Sequence, residues 1–227
     1  MKRLNILYLI ILGVVVSLFH GIDVLASNAE DIVNRVDDRY AKTQDLQGEF
    51  TQETIIEGFE SGFKSTGKFY LKKPGLLRWD YLEPSKEHIY VDGDAVMMYV
   101  PEHQQVVKGT LTQMAASKGP LALLLGVGKL SEQFTILKVS EFPSGSKKMP
   151  DLTLVPKPDG ATVPTIKKIE LQLFSDSHLI QAISIFETSG NISRVRFDHI
   201  QVNQGLAADL LQFTLPQDVV VVEFPTF

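Results

Sequence analysis

From Leu46 onward the apolar residues of this chain recur at every second position, and that period constrains the fold more than any other feature. Leu46, Gly48 and Phe50 alternate with Gln47, Glu49 and Thr51. Gly67, Phe69 and Leu71 alternate with Lys68, Tyr70 and Lys72, and Leu77, Trp79 and Tyr81 with Arg78, Asp80 and Leu82. Successive side chains of a strand point to opposite faces, so each run reads as a strand with one buried face. Lys73-Pro74-Gly75 breaks the chain between two of these strands. Asp92-Gly93, between Ile89-Tyr90-Val91 and Val96–Tyr99, is a strong hairpin signal. Strands resume over 134–142, 151–156, 165–174, 178–187 and 191–203, and a last one lies near 213–223, with Gly160, Asp176 and Gly190 in the intervening turns. The sum is about ten or eleven antiparallel strands, and a sheet that long curls or closes. An interior of that size is wider than a few side chains fill, so it has room for a ligand.

Two segments depart from the period. Residues 28–43 read as a helix: Asn28 is a capping residue, Asp31 suits the first turn, and Ile32, Val33, Val36 and Tyr40 recur at helical spacing. Residues 110–133 interrupt the strands with Leu111, Met114, Ala115, Leu121, Leu123, Leu124, Leu125, Val127 and Leu130 among glycines and a proline. This reads as one or two short apolar helices.

The N-terminus sets the compartment. Lys2 and Arg3 precede an apolar run from Leu4 to Phe19, and Val24-Leu25-Ala26 offers a small-residue cleavage site. The run is short for a membrane span of roughly 20 residues. The expected organisation is a cleaved secretory signal over 1–26 and a single domain over 27–227. Removing 1–26 takes away Lys2, Arg3 and Asp23, leaving 20 basic and 26 acidic side chains and a net charge of −6. That balance argues against nucleic acid, which needs a basic footprint, and against anionic lipid surfaces. The chain has no cysteine, so core and sheet alone must hold it in an oxidising compartment.

Motifs for chemistry are incomplete. Gly58–Gly62 and Pro143–Ser146 have the wrong spacing for a nucleophile elbow. Gly126-Val127-Gly128-Lys129 is followed by Leu130, where a phosphate-binding loop needs a hydroxyl. Asp92-Gly93-Asp94 lacks the rest of a calcium loop. His88, His103, His178 and His199 are not at metal-ligand spacing. Glu49 with Glu53, and Asp37 with Asp38, read as solvated charge. No catalytic residue, metal or cofactor is expected.

An ordered set of motifs does carry a resemblance. It runs from Phe50-Thr51-Gln52 through Gly67-Lys68-Phe69-Tyr70-Leu71-Lys72-Lys73-Pro74, Leu77-Arg78-Trp79-Asp80-Tyr81 and Pro84. It continues with Asp92-Gly93, Tyr99, Pro101, Gln105, Pro120 with Leu124-Leu125-Gly126, Leu152–Lys157 and Phe213–Val220 with its Pro216. In these the chain resembles the LolA family, periplasmic carriers that take lipoproteins from the inner to the outer membrane of Gram-negative bacteria. The resemblance implies a mainly β fold with α: an unclosed, curled antiparallel half-barrel covered by the N-terminal helix and by an apolar helical lid over 110–130. It also implies a monomer whose partners are triacylated lipoproteins, an inner-membrane ABC-type releasing transporter and an outer-membrane acceptor.

The cavity candidates are Phe50, Phe69, Leu71, Leu77, Trp79 and Tyr81, which share a face by period two, with Met97 and Tyr99 added. The lid candidates are Leu111, Met114, Leu121, Leu124 and Leu125. Lys73 stands where the family often has an arginine that holds the lid, and it is the latch candidate; Met97 stands where the family commonly has tryptophan. Lysine is a point donor without arginine's planar fork, and methionine is an adaptable filler. Competing readings are a sensor related to envelope-stress regulators, which usually carry a second domain that a chain ending at Phe227 has no room for, a lipid-acting enzyme, and a carrier of another lipid such as a glycolipid.

Overall fold

The computed structural model describes residues 30–59, 61–111, 130–140, 151–157 and 166–224. Twelve strands form one sheet: β1 (Asp45–Ile55), β2 (Phe63–Lys72), β3 (Leu76–Glu83), β4 (Glu87–Asp92), β5 (Ala95–Val100), β6 (Gln105–Thr110), β7 (Phe134–Val139), β8 (Leu152–Pro156), β9 (Ile166–Leu173), β10 (Ile180–Glu187), β11 (Ile192–Val202) and β12 (Val220–Glu223). Their order is β12-β6-β5-β4-β3-β2-β1-β11-β10-β9-β8-β7. Neighbouring strands are antiparallel except β12, which runs parallel to β6. The edges β12 and β7 do not pair, so the sheet stays open.

The helix expected over 28–43 is present as α1, helical over 30–41. Ile32, Val33 and Val36 are buried and join one apolar cluster with the strand residues that face them, while Asp31 and Arg35 form an exposed ion pair one turn apart on the opposite side, 2.8 Å between charged atoms. A four-residue helix, α2 (Leu130–Gln133), precedes β7. We call the face packed on α1 the inner face.

Two expectations are corrected. The strand β6 was not foreseen, because Val106-Val107 is too short an apolar pair to display a period. The last strand occupies only Val220–Glu223 rather than 213–223. The physical reason is topological: β11 lies beside β1 in the middle of the sheet, and the chain must cross the outer face to reach the β6 edge. Residues 203–219 make that crossing, with a 3-10 helix at Ala208–Leu211. The crossing is tied down by charged and polar groups. The Asp45 carboxylate accepts from the backbone N–H groups of Gln204 (2.7 Å), Gly205 (2.9 Å) and Leu206 (3.3 Å). Lys72 Nζ donates to the Leu206 carbonyl, and Arg78 Nη1 to that of Leu210 (3.1 Å). Arg78 is itself held by Asp80, which also bonds His88 Nδ1 at 2.7 Å.

Within β1 and β2 two glycines decide how the inner face packs. Gly67 is paired with Phe50, and Gly48 with Phe69. Each bare glycine lets the ring across from it lie down over the neighbouring strand. A Cβ on Gly67 would meet the Asp80 carbonyl oxygen at 2.0 Å and the Phe50 ring at 2.6 Å. Gly67→Ala is therefore expected to cost about 2 kcal/mol or more, as overpacking of a filled core does. Thermal unfolding followed by circular dichroism checks this, and an unchanged Tm would contradict the packing described.

Candidate functional site

The inner face has an aromatic floor. Trp79, in the middle of β3, is fully buried, and Phe50 stacks on it with ring centroids 4.0 Å apart. Phe69 and Phe197 approach the indole at 5.9 and 6.2 Å, and Tyr81 stands edge-on to Phe50 at 5.2 Å. Offset and edge-to-face pairs of this kind add to the burial of the rings themselves. Leu71 and Leu77 extend the floor along β2 and β3, and both are buried. The six residues expected by alternation therefore do lie together.

Met97 and Tyr99 do not join them. The hairpin register pairs Val91 with Val96, Ile89 with Met98, Tyr90 with Met97 and His88 with Tyr99. Opposed residues share a face, so Val96 and Met98 point inward, while Met97 and Tyr99 lie on the outer face. There Tyr90 and Tyr99 pack against Phe213 of the crossing segment, at 5.0 and 6.1 Å between rings. The inward residues missed on this side are Ile89, Val91, Val96 and Met98. Continuing the alternation of Ile89 and Val91 across the Asp92-Gly93 turn was the signal available to find them. Across the seam with β11 and β10, Phe197, Val195 and Ile183 complete the floor. They too alternate by two, without an aromatic run to mark them.

Toward the β1–β2 hairpin the same face turns polar. The Tyr81 hydroxyl donates to Gln52 Oε1 at 2.8 Å. Gln52 Nε2 donates to Thr54 Oγ1 at 3.2 Å and to Ser193 Oγ at 3.3 Å. Burial, and then the Glu87 carboxylate, raise the Tyr81 pKa, keeping it a neutral donor. The indole N–H of Trp79 opposes that shift but reaches no acceptor in hydrogen-bonding geometry among the described residues. Beyond this belt, Phe63 is paired with Thr54 and is 56% exposed.

The covering of the inner face is anchored through α1. Lys73 Nζ donates to the Tyr40 carbonyl at the C-terminal end of α1, which also accepts from the Thr43 N–H at 3.1 Å, and the cation there opposes the helix dipole. Burial lowers the Lys73 pKa. The latch candidate is thus bonded to the helix. The Tyr40 hydroxyl accepts from the Ile180 N–H at 3.3 Å, and burial pushes its pKa up to about 12. One turn earlier, the Asp37 carboxylate accepts from Leu130 N (2.9 Å), Ser131 N (3.2 Å) and Ser131 Oγ (2.6 Å), capping α2 from another element. Among the lid candidates, Leu111 is packed against the core, and its N–H donates to the Asp94 carbonyl at 2.8 Å. Met114, Leu121, Leu124 and Leu125 lie outside the described residues. On the two sides of the undescribed stretch 112–129, Leu111 is therefore bonded to the β4–β5 turn and Leu130 to α1.

The geometry suits containment of apolar matter. A family model described as outer membrane lipoprotein carrier protein LolA matches residues 41–214. A protein of Dechloromonas aromatica named outer-membrane lipoprotein carrier protein is 30% identical over 190 residues, covering 84% of this chain and 86% of that one. A protein of the same name from Pseudomonas aeruginosa is 27% identical over 223 residues, covering 98% of this chain and all of that one. Among solved structures, an uncharacterized conserved protein from Thermus thermophilus aligns with a TM-score of 0.53 at 14% identity, over 87% of this chain and 99% of that one. A DUF1329 family protein from Desulfovibrio piger aligns with a TM-score of 0.52 at 13% identity, over 82% and 99%. These two likenesses concern the fold.

Lys73→Met is expected to remove the bond to Tyr40 and cost about 1 kcal/mol, the net worth of such a hydrogen bond. Hydrogen exchange in the last turn of α1 should accelerate several-fold, while the β2 and β3 amides keep their protection. Unchanged exchange in α1 would leave Lys73 a surface residue.

Proposed function

The chain belongs to the LolA family, and on that premise we propose that it is a periplasmic carrier: it takes up the acyl chains of lipoproteins released from the inner membrane and delivers them to the outer membrane. Residues 1–26 are the secretory signal that puts it there, and 27–227 are the single carrying domain. The protein does no chemistry on its cargo. Its partners are triacylated lipoproteins, an ABC-type releasing transporter upstream and an outer-membrane acceptor downstream.

The observation that supports this reading beyond family membership is the open sheet with an apolar inner face. That face is continuous from Ile89 on β4 through Trp79, Phe69, Phe50 and Phe197 to Leu171 on β9. Hydrocarbon gains about 0.8 kcal/mol per buried CH₂. One chain of roughly 16 carbons then supplies on the order of 12 kcal/mol, and three fully buried chains exceed the practical ceiling of roughly 20 kcal/mol. A carrier that kept all of this would not release its cargo. Uptake must therefore displace something already packed, and the leucine-rich sequence of 112–129 is our candidate for the displaced segment. Its lost packing offsets part of the lipid's burial and brings transfer near balance. Phe50, Phe69, Leu71, Leu77, Trp79 and Tyr81 would line the lipid site, and Lys73 would hold the helix end that frames it.

Native mass spectrometry of the protein purified from periplasm tests the cargo. Intact complexes heavier by a triacylated lipoprotein, dissociated by organic extraction, are the expected result. Free lipid without a peptide would replace the lipoprotein with another lipid as cargo.

A further inference from the structure

The polar belt on the inner face is not needed to hold the sheet. The strands there are already joined by their backbone ladder, β1 to β2 on one side and to β11 on the other. Yet Gln52, Thr54 and Ser193 occupy inward positions that, by the alternation of Phe50 and Phe197, would otherwise carry apolar side chains. They sit between the buried aromatic floor and the exposed Phe63. Each is half-buried, so each is within reach of a ligand that lies on the floor and leaves past the hairpin.

We propose that Gln52, Thr54, Tyr81 and Ser193 form a subsite for the ester and amide carbonyls that join acyl chains to their polar head, so that the site selects carbonyl-linked acyl chains over bare hydrocarbon. The inference rests on the carrier reading and deepens it. A carbonyl drawn into apolar surroundings without a donor loses its hydrogen bonds to water and resists the transfer. Gln52 Nε2 and the hydroxyls of Tyr81, Thr54 and Ser193 supply such donors once their mutual bonds are exchanged. The buried Trp79 N–H, which acts on the Tyr81 hydroxyl, is a further donor beside it. The charge at this level has the sign that disfavours phosphate: Glu87 is paired with Tyr81 on β4 and shares its face. Lys64 and Lys68 belong to the opposite face of β2, paired with Glu53 and Glu49. Neutral carbonyl linkages fit this arrangement better than an anionic phosphodiester.

The test compares two probes on the full mature chain: a synthetic tripalmitoylated glyceryl-cysteinyl lipopeptide, and the apolar dye N-phenyl-1-naphthylamine, which has no carbonyl. Gln52→Leu should weaken lipopeptide binding about tenfold and leave dye binding within about twofold. Tyr81→Phe, which removes only a hydroxyl, should weaken the lipopeptide by about fivefold. Equal lipopeptide affinity in wild type and both variants would overturn the subsite while leaving the carrier reading in place. Wild-type protein that binds the dye but not the lipopeptide would overturn both.

Discussion

A sheet that curls without closing cannot bury its own inner face, and most of this molecule follows from that constraint. In a closed barrel the strands cover one another's inward side chains. Here β12 and β7 pair neither with each other nor, beyond β6 and β8, with another strand among the described residues, and the apolar floor needs a cover from outside the sheet. Helix α1 supplies part of it with Ile32, Val33, Val36 and the packed ring of Tyr40, and polar bonds at its end add to that apolar contact.

The two faces of the sheet are covered by different means. The outer crossing is held by Asp45, Lys72 and Arg78, which bond backbone groups of residues 204–210, and Phe213 fits against Tyr90 and Tyr99. Inside, the floor is built from rings that lie over glycines 48 and 67. That arrangement packs the aromatic rings against one another in a buried layer.

Most of the fold was legible in the sequence because alternation is a local signal that tertiary contacts only reinforce. The strands that alternate strongly, and the Asp92-Gly93 hairpin between Val91 and Val96, are present in the sheet. What was not legible depends on topology. Val106-Val107 has no period of its own and becomes a strand because β5 and β12 flank it. The C-terminal run reads as one strand, but its first half must cross the outer face before it can pair. The floor residues from Phe50 to Tyr81 were readable from parity. Met97 and Tyr99 were misplaced because their size suggested a cavity, whereas their register with Tyr90 and His88 puts them outside. The roles of Asp37 and Gln52 lay beyond sequence reasoning, since their partners are 93 and 141 positions away in the chain.

Trp79 is the chain's one tryptophan and lies in the centre of the floor, so it reports directly on whether acyl chains reach that surface. The decisive measurement is the quenching of its fluorescence by a lipopeptide whose acyl chains carry bromine at mid-length, compared with the unbrominated lipopeptide. Strong quenching by the brominated form alone places the chains against the floor, as the account predicts. Saturable binding with Trp79 emission unchanged by bromine would mean that the lipid sits elsewhere, and would contradict it.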